Sequence, residues 1–368
     1  MKYIEEFRVP AVAKSFLSEI AKKVQKGRLY RLMEFCGGHT HAIHRYGIVS
    51  LLPENVEMIH GPGCPVCVLP IKRVDKAIWL AQQQGLIFCS YADMLRVPGS
   101  NGESLLKAKA RGADVRMVYS VFDALRIARE NPQQNVVFFA IGFETTTPPT
   151  AIAIDVALAE KLPNFSIYCN HVLTPVAMEA ILACDEVAID GFIGPSHVSV
   201  IIGSNAYHAV AEHYHKPVVI AGFEPLDVLQ SISMLVDMIN QGEIGVKNQY
   251  TRAVIAEGNR LAQQKMAHYF SVRDRFEWRG LGDIELSALK LKPSYAHLDA
   301  EALFCIPESD GKEHKQCECA GILRGVKKPK DCRLFGMVCT PENPMGACMV
   351  SSEGACSAAY QYQGCETT

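Results

Sequence analysis

The chain has 368 residues, 49% of them apolar and 21% charged, with a formal net charge of −2. That length exceeds one ordinary domain of roughly 100–200 residues, so two or three are expected, and the composition is that of a soluble globular protein and not of a disordered tail. A charge so close to zero supplies no basic field for phosphates, which excludes nucleic acid as a partner.

The first ten residues, M-K-Y-I-E-E-F-R-V-P, mix acids with bases where a signal peptide needs an unbroken apolar run. No segment holds the ~18 consecutive apolar residues of a membrane span. A cytoplasmic protein with no membrane partner is expected. In a reducing compartment its 14 cysteines point to metal binding or redox chemistry and not to a disulfide framework.

Residues 1–30 read as a helix, with Val12, Phe16, Ile20 and Val24 recurring four apart. It is expected to pack on a C-terminal module. Short β-rich runs follow, each closed by a Gly, Pro or polar turn and then an amphipathic stretch. They predict strands at about Leu32–Phe35, Val56–Ile59, Leu86–Cys89, Val115–Tyr119, Val136–Ile141, Ser166–Cys169, Gly191–Ile193 and Val218–Ala221. Strands alternating with helices imply parallel βαβ units. Eight such units fit one (β/α)₈ barrel or two doubly wound domains. The N-P-Q-Q-N break at Asn131–Asn135 falls midway and favours two domains, at 31–131 and 132–223. The rhythm fades from about Asn248, and the last 64 residues hold eight of the cysteines, so 224–368 reads as a separate C-terminal module. The expected fold class is α/β, with two similar parallel-sheet βαβ domains facing a cleft plus a C-terminal iron–sulfur module.

Ligands of such folds gather at the carboxyl ends of the strands, and nearly all the unusual chemistry falls there. The stretch M33-E-F-C-G-G-H-T-H-A-I-H places Cys36 beside His39, His41 and His44. Gly37 and Gly38 allow the backbone to approach a ligand. Cys36 with a nearby histidine fits a papain-like nucleophile, a metal ligand or a thiol tuned by imidazolium. In H60-G-P-G-C64-P-V-C67 the C-x-x-C spacing lets two sulfurs meet, and a helix starting there would favour thiolate, so Cys64 and Cys67 read as a redox dithiol. The competing reading is half of a zinc site. The stretch G142-F-E-T-T puts Glu144 at a strand-to-helix turn, directed into the cleft to move protons, with the threonines as helix caps. His197 and Asp93 are lesser candidates. Six cysteines lie within forty residues, at 317, 319, 332, 339, 348 and 356. Four thiolates suit an iron–sulfur cluster or zinc, and the wide spacing with apolar filler favours iron–sulfur, although spacing alone does not choose which four bind.

Together C36-G-G-H-T-H, H60-G-P-G-C-P-V-C, G142-F-E-T-T, G222-F-E-P and M349-V-S-S-E-G-A-C resemble the HypD family of hydrogenase maturation proteins, in order and over essentially the whole chain. The resemblance implies a scaffold on which the Fe(CN)₂CO unit of [NiFe]-hydrogenase is built. It implies HypC and HypE as partners, with HypE charged by HypF. Cys36 becomes the ligand of the nascent iron, with His39 beside it, and Cys64 and Cys67 a redox pair lining the same cleft. The resemblance also assigns a [4Fe–4S] cluster to Cys319, Cys332, Cys339 and Cys356, leaving Cys317 and Cys348 as extras that could act as redox partners of the cluster, as in ferredoxin–thioredoxin reductases. A function of a different class, a self-contained iron–sulfur thiol–disulfide oxidoreductase, would need only Cys64, Cys67 and the C-terminal cysteines.

Overall fold

The computed structural model describes residues 5–184 and 186–362. All eight expected strands form, with ends displaced by one or two residues: β1 Tyr30–Glu34, β2 Val56–His60, β3 Leu86–Ser90, β4 Asp114–Met117, β5 Asn135–Gly142, β6 Phe165–His171, β7 Gly191–Gly194 and β8 Val218–Ile220. A short ninth, β9, spans Val246–Asn248. The central strands are near-continuous apolar runs because helices cover both faces of each parallel sheet. In β5, every residue from Val136 to Gly142 is buried.

The strands form two parallel sheets, one ordered β2-β1-β7-β8-β9 and the other β4-β3-β5-β6. This corrects the expected boundaries at 31–131 and 132–223, because the sheets interleave. The chain makes β1 and β2, leaves to build the whole second sheet, and returns at β7. The N-P-Q-Q-N segment is only a helix-to-strand turn inside the second sheet. Asn164 ties it down by donating from Nδ2 to the carbonyls of Ala128, Asn131 and Gln134 at 2.9–3.0 Å.

The N-terminal helix spans Pro10–Lys23, and residues 1–4 of the expected helix lie outside the described residues. It packs on the Pro225–Gln241 helix, which opens the 224–368 stretch expected as the C-terminal module. Its Ile20 is buried with Leu226, Leu229 and Leu32, and its Lys23 Nζ donates to Asp237 (2.6 Å) and Ser233 (2.8 Å) on the Pro225–Gln241 helix. That helix joins β8 to β9 and covers the first sheet, so the C-terminal module begins later than residue 224. The module contains two small antiparallel pairs, Phe270–Val272 with Leu289–Leu291 and Arg275–Trp278 with Gly282–Glu285, then loops carrying the cysteines. Its last helix, Ala355–Gln361, returns to the Gly37–Arg45 helix, where the Tyr362 hydroxyl lies 3.0 Å from His41 Nε2. No helix among the described residues is long and apolar enough to cross a membrane.

Strand order reverses between β1 and β7 in one sheet and between β3 and β5 in the other. Loops diverge at such points and leave a crevice beyond the strand ends. Cys36 follows β1 and Ser196 follows β7, whereas Asp93 follows β3 and Glu144 follows β5.

Candidate functional site

Cys36 is the N-cap residue of the Gly37–Arg45 helix, with an extended backbone, and the N–H groups of Gly38 and His39 at the helix start favour its thiolate without a capping hydrogen bond to the sulfur. The residue retains some solvent contact, yet burial of the sulfur, reinforced by Glu353 and Glu34, pushes the thiol up to about 12 against those two donors. Two glycines make the setting possible. A Cβ on Gly37 would run into Glu353, and one on Gly63 would lie 2.5 Å from Cys36 Cα. The turn before Cys64 therefore stacks directly on the turn after Cys36, and Gly37 N–H donates to the Gly63 carbonyl at 3.1 Å.

Sequence reasoning passed over Glu34, which is fully buried. Its carboxylate accepts from Cys36 N–H at 2.9 Å, from His60 Nδ1 at 2.8 Å and from the Thr40 hydroxyl. His60 Nε2 in turn lies 3.0 Å from His44 Nε2, and burial together with His60 lowers His44 to about 3. Glu34 thus fixes the turn at Cys36 and joins two histidines of separate motifs. Glu353, in S-S-E-G-A-C, was likewise not singled out. Burial raises its carboxyl, and Asp93 and Glu34 add to the rise, so acids from both crevices face it.

His39 is buried, with Nε2 at 3.0 Å from the Gly222 carbonyl, 3.3 Å from that of Ala221 and 3.1 Å from Ser196 Oγ. Carbonyls only accept, so Nε2 carries the proton and Nδ1 is bare, with no hydrogen-bond partner. The ring clamps the loops after β1, β7 and β8 across the crevice. His197 is exposed, its ring centroid 4.2 Å from that of Phe223, which also contacts His39.

Cys64 N-caps the short Pro65–Val68 helix and accepts from Cys67 N–H at 3.2 Å, and the two sulfurs are joined as a disulfide. The helix-start expectation for this motif holds. The same helix packs against the Ala347–Met349 segment, which carries Cys348.

All six clustered cysteines line one cavity, together with Ile322, Leu334, Phe335 and Met349. Cys319 is joined to Cys348, which leaves Cys317, Cys332, Cys339 and Cys356 as its free thiols. The expected set contained Cys319 in place of Cys317. The difference arises locally: Cys319 opens the Cys319–Leu323 helix, where its sulfur meets Cys348, whereas Cys317 stands in the preceding loop. The free thiols sense one another, since Cys339, Cys317 and Cys332 add to the upward push that burial exerts on Cys356. Soft donors in an apolar, shielded pocket have the chemistry of an iron–sulfur site. Among the described residues no three His, Cys, Asp or Glu side chains close around a point as a preformed cage for a single ion.

Glu144 is buried, and its two oxygens accept from the Thr174 N–H and hydroxyl, each at 2.8 Å. It thereby ties the β5 turn to the start of the Thr174–Cys184 helix. Burial raises its carboxyl to about 7. Burial raises the Tyr207 phenol, to which Glu144 and Cys36 add, and Ser199 Oγ donates to its hydroxyl at 3.1 Å. The neighbouring threonines serve the backbone, with Thr147 Oγ donating to the Phe143 carbonyl (3.2 Å) and Thr150 Oγ to that of Thr146 (3.1 Å).

The family model HypD, described as the hydrogenase formation hypA family, matches residues 11–363. The hydrogenase maturation factor HypD of Rhizobium leguminosarum bv. viciae is 58% identical over 98% of this chain and 96% of its own length. That of Azotobacter vinelandii is 58% identical over 98% and 97%. That of Escherichia coli (strain K12) is 47% identical over 99% and 98%.

Proposed function

The chain belongs to the HypD family and acts in hydrogenase maturation, and from that premise we propose that it is the cytoplasmic scaffold on which the Fe(CN)₂CO unit of [NiFe]-hydrogenase is assembled with HypC and HypE. The observation that carries this reading is the setting of Cys36, a thiol at the switch point of the first sheet with Glu34 and Glu353 beside it and the Cys64 turn stacked on it. Buried carboxylates near a thiol disfavour a bare thiolate and favour a cation. Cys36 thus stays protonated until iron arrives, and binding releases the proton. A thiolate is the soft, electron-rich donor that low-spin iron with cyanide and carbonyl ligands requires. HypC supplies a second donor, and His39 holds the Cys36 turn against the β7 and β8 loops.

Redox capability follows from the sulfur pairs. A [4Fe–4S] cluster held by Cys317, Cys332, Cys339 and Cys356 supplies electrons singly. The Cys319–Cys348 and Cys64–Cys67 pairs each take up two electrons and two protons to give two thiols. They are spaced along the route toward Cys36, because the Cys64–Cys67 helix packs on the Cys348 segment and its leading turn on Cys36.

Infrared spectroscopy of protein purified anaerobically with HypC should show cyanide and carbonyl bands. Cys36→Ala should abolish those bands while leaving iron and sulfide at the level of an intact four-iron cluster. A wild-type complex with the cluster but without such bands would overturn the scaffold reading in favour of an iron–sulfur thiol–disulfide oxidoreductase.

A further inference from the structure

Arg279 occupies the turn between the Arg275–Trp278 and Gly282–Glu285 strands and is buried. On one side it grips the end of the dithiol helix, with its backbone N–H donating to the Val68 carbonyl at 2.7 Å and its Nε to the Leu69 carbonyl at 3.1 Å. On the other side it grips the cysteine loop. Its Nη1 donates to Glu313 at 2.6 Å, one residue before His314, whose carbonyl accepts from Cys317 N–H at 2.9 Å. The next residue, Gly280 (φ +82°), sits so close to the Cys319–Leu323 helix that a Cβ would lie 2.9 Å from Ala320 Cα, and its carbonyl accepts from Arg324 at 2.7 Å. The turn is thus wedged between the two redox elements.

Nη2 of this guanidinium is buried and has no hydrogen-bond partner. An unmet buried donor on a charged group carries a penalty of roughly 1–3 kcal/mol or more, and native structures rarely keep one without a reason. Burial works against the charge of this guanidinium, and Glu313 and then the Cys317 thiol offset that by favouring it. An anionic sulfur group bound through Cys317 would meet both the donor and the charge.

We propose that Arg279 is a positioning residue for the iron–sulfur group, its Nη2 donating to sulfur at the Cys317 side of the cavity and its charge raising the reduction potential there, while its other donors hold the Cys64–Cys67 helix in register. The inference rests on the cluster reading given above. A hydrogen bond to sulfur and a nearby positive charge both stabilise the reduced, more negative cluster, and the effect is large where water is excluded. Glu313 is the counterweight, its negative charge opposing that of Arg279.

The test is a redox titration of the whole, anaerobically purified protein followed by cluster absorbance, with iron and sulfide measured on each sample. Arg279→Met should keep the cluster but shift its reduction equilibrium about tenfold toward the oxidised form, which for one electron is about 59 mV downward. Arg279→Lys should recover part of that shift. Glu313→Gln, at a partly exposed position that threatens folding less, should move the potential upward. A potential that Glu313→Gln leaves unmoved or lowers overturns the inference, as does an intact cluster at wild-type potential in Arg279→Met. Wild-type protein lacking iron and sulfide overturns the cluster reading and the inference together.

Discussion

At Cys36 and Glu144 the same physical force, burial, acts on two groups with different results. The Cys36 thiol is pushed up to about 12 and has partners that favour a cation. The Glu144 carboxyl rises only to about 7, because two bonds from Thr174 support its charged form. A carboxyl whose folded value lies above its ordinary one adds stability fully below about pH 4.5, and that stability is lost as pH rises through about 7. The span corresponds to about 3 kcal/mol. Urea midpoints measured at pH 5 and pH 8 should therefore fall for the wild type, and fall less for Glu144→Gln, which keeps the shape without the charge. Equal pH dependence in both proteins would show that Glu144 is hydrated. Cys36, Cys64, Cys67 and His39 were singled out by residue type and spacing, and the structure places them on the turns after β1 and β2. Glu34 was not legible, since a lone acid in L-M-E-F gives no sign of whether it faces solvent or a neighbouring backbone. Nor could C-E-C reveal that Cys319 turns toward Cys348 while Cys317 remains free, because that depends on where a five-residue helix begins.

The elements themselves were legible because burial on both faces leaves long apolar runs, and the turn residues between them mark the ends. What spacing could not convey was the direct contact between two of those turns, after β1 and after β2. Gly63 enforces it, for an added Cβ meets backbone atoms of Cys36 and Phe35, which cannot rotate away as a side chain could. Overpacking of this kind costs about 1–3 kcal/mol. Gly63→Ala should accordingly lower the thermal midpoint by several degrees and separate the Cys36 turn from the Cys64 turn. On the scaffold reading proposed above, its complex with HypC should lose the cyanide and carbonyl bands even though Cys36 itself is unaltered. Full bands in that variant would mean that stacking of the two turns is dispensable for holding the iron unit.

Across the whole molecule, interleaving of the sheets was hidden because a strand–helix–strand alternation reads the same whether or not the chain crosses from one sheet to another. Its consequence is that a cut at residue 131 leaves neither piece with a complete sheet. β1 lies inside the first sheet, paired with β2 on one side through Leu32↔Met58 and with β7 on the other through Leu32↔Gly191. A fragment of residues 1–131 keeps β1 with β2 and β3 with β4 but loses β7, β8 and β9 from one sheet and β5 and β6 from the other. Two-stranded remnants with uncovered apolar faces are marginal in water at best. Such a fragment should show no cooperative thermal transition by circular dichroism and little amide protection. The intact chain should protect β1, β3, β5, β7 and β8 most strongly in hydrogen exchange, as the strands paired on both edges. A fragment that unfolds cooperatively with native-like protection in β1 would mean that the first two strands need nothing from the second half. The crevice at Cys36 could then form before β7 arrives to close it, and His39 would have no role in joining the β1 loop to those after β7 and β8.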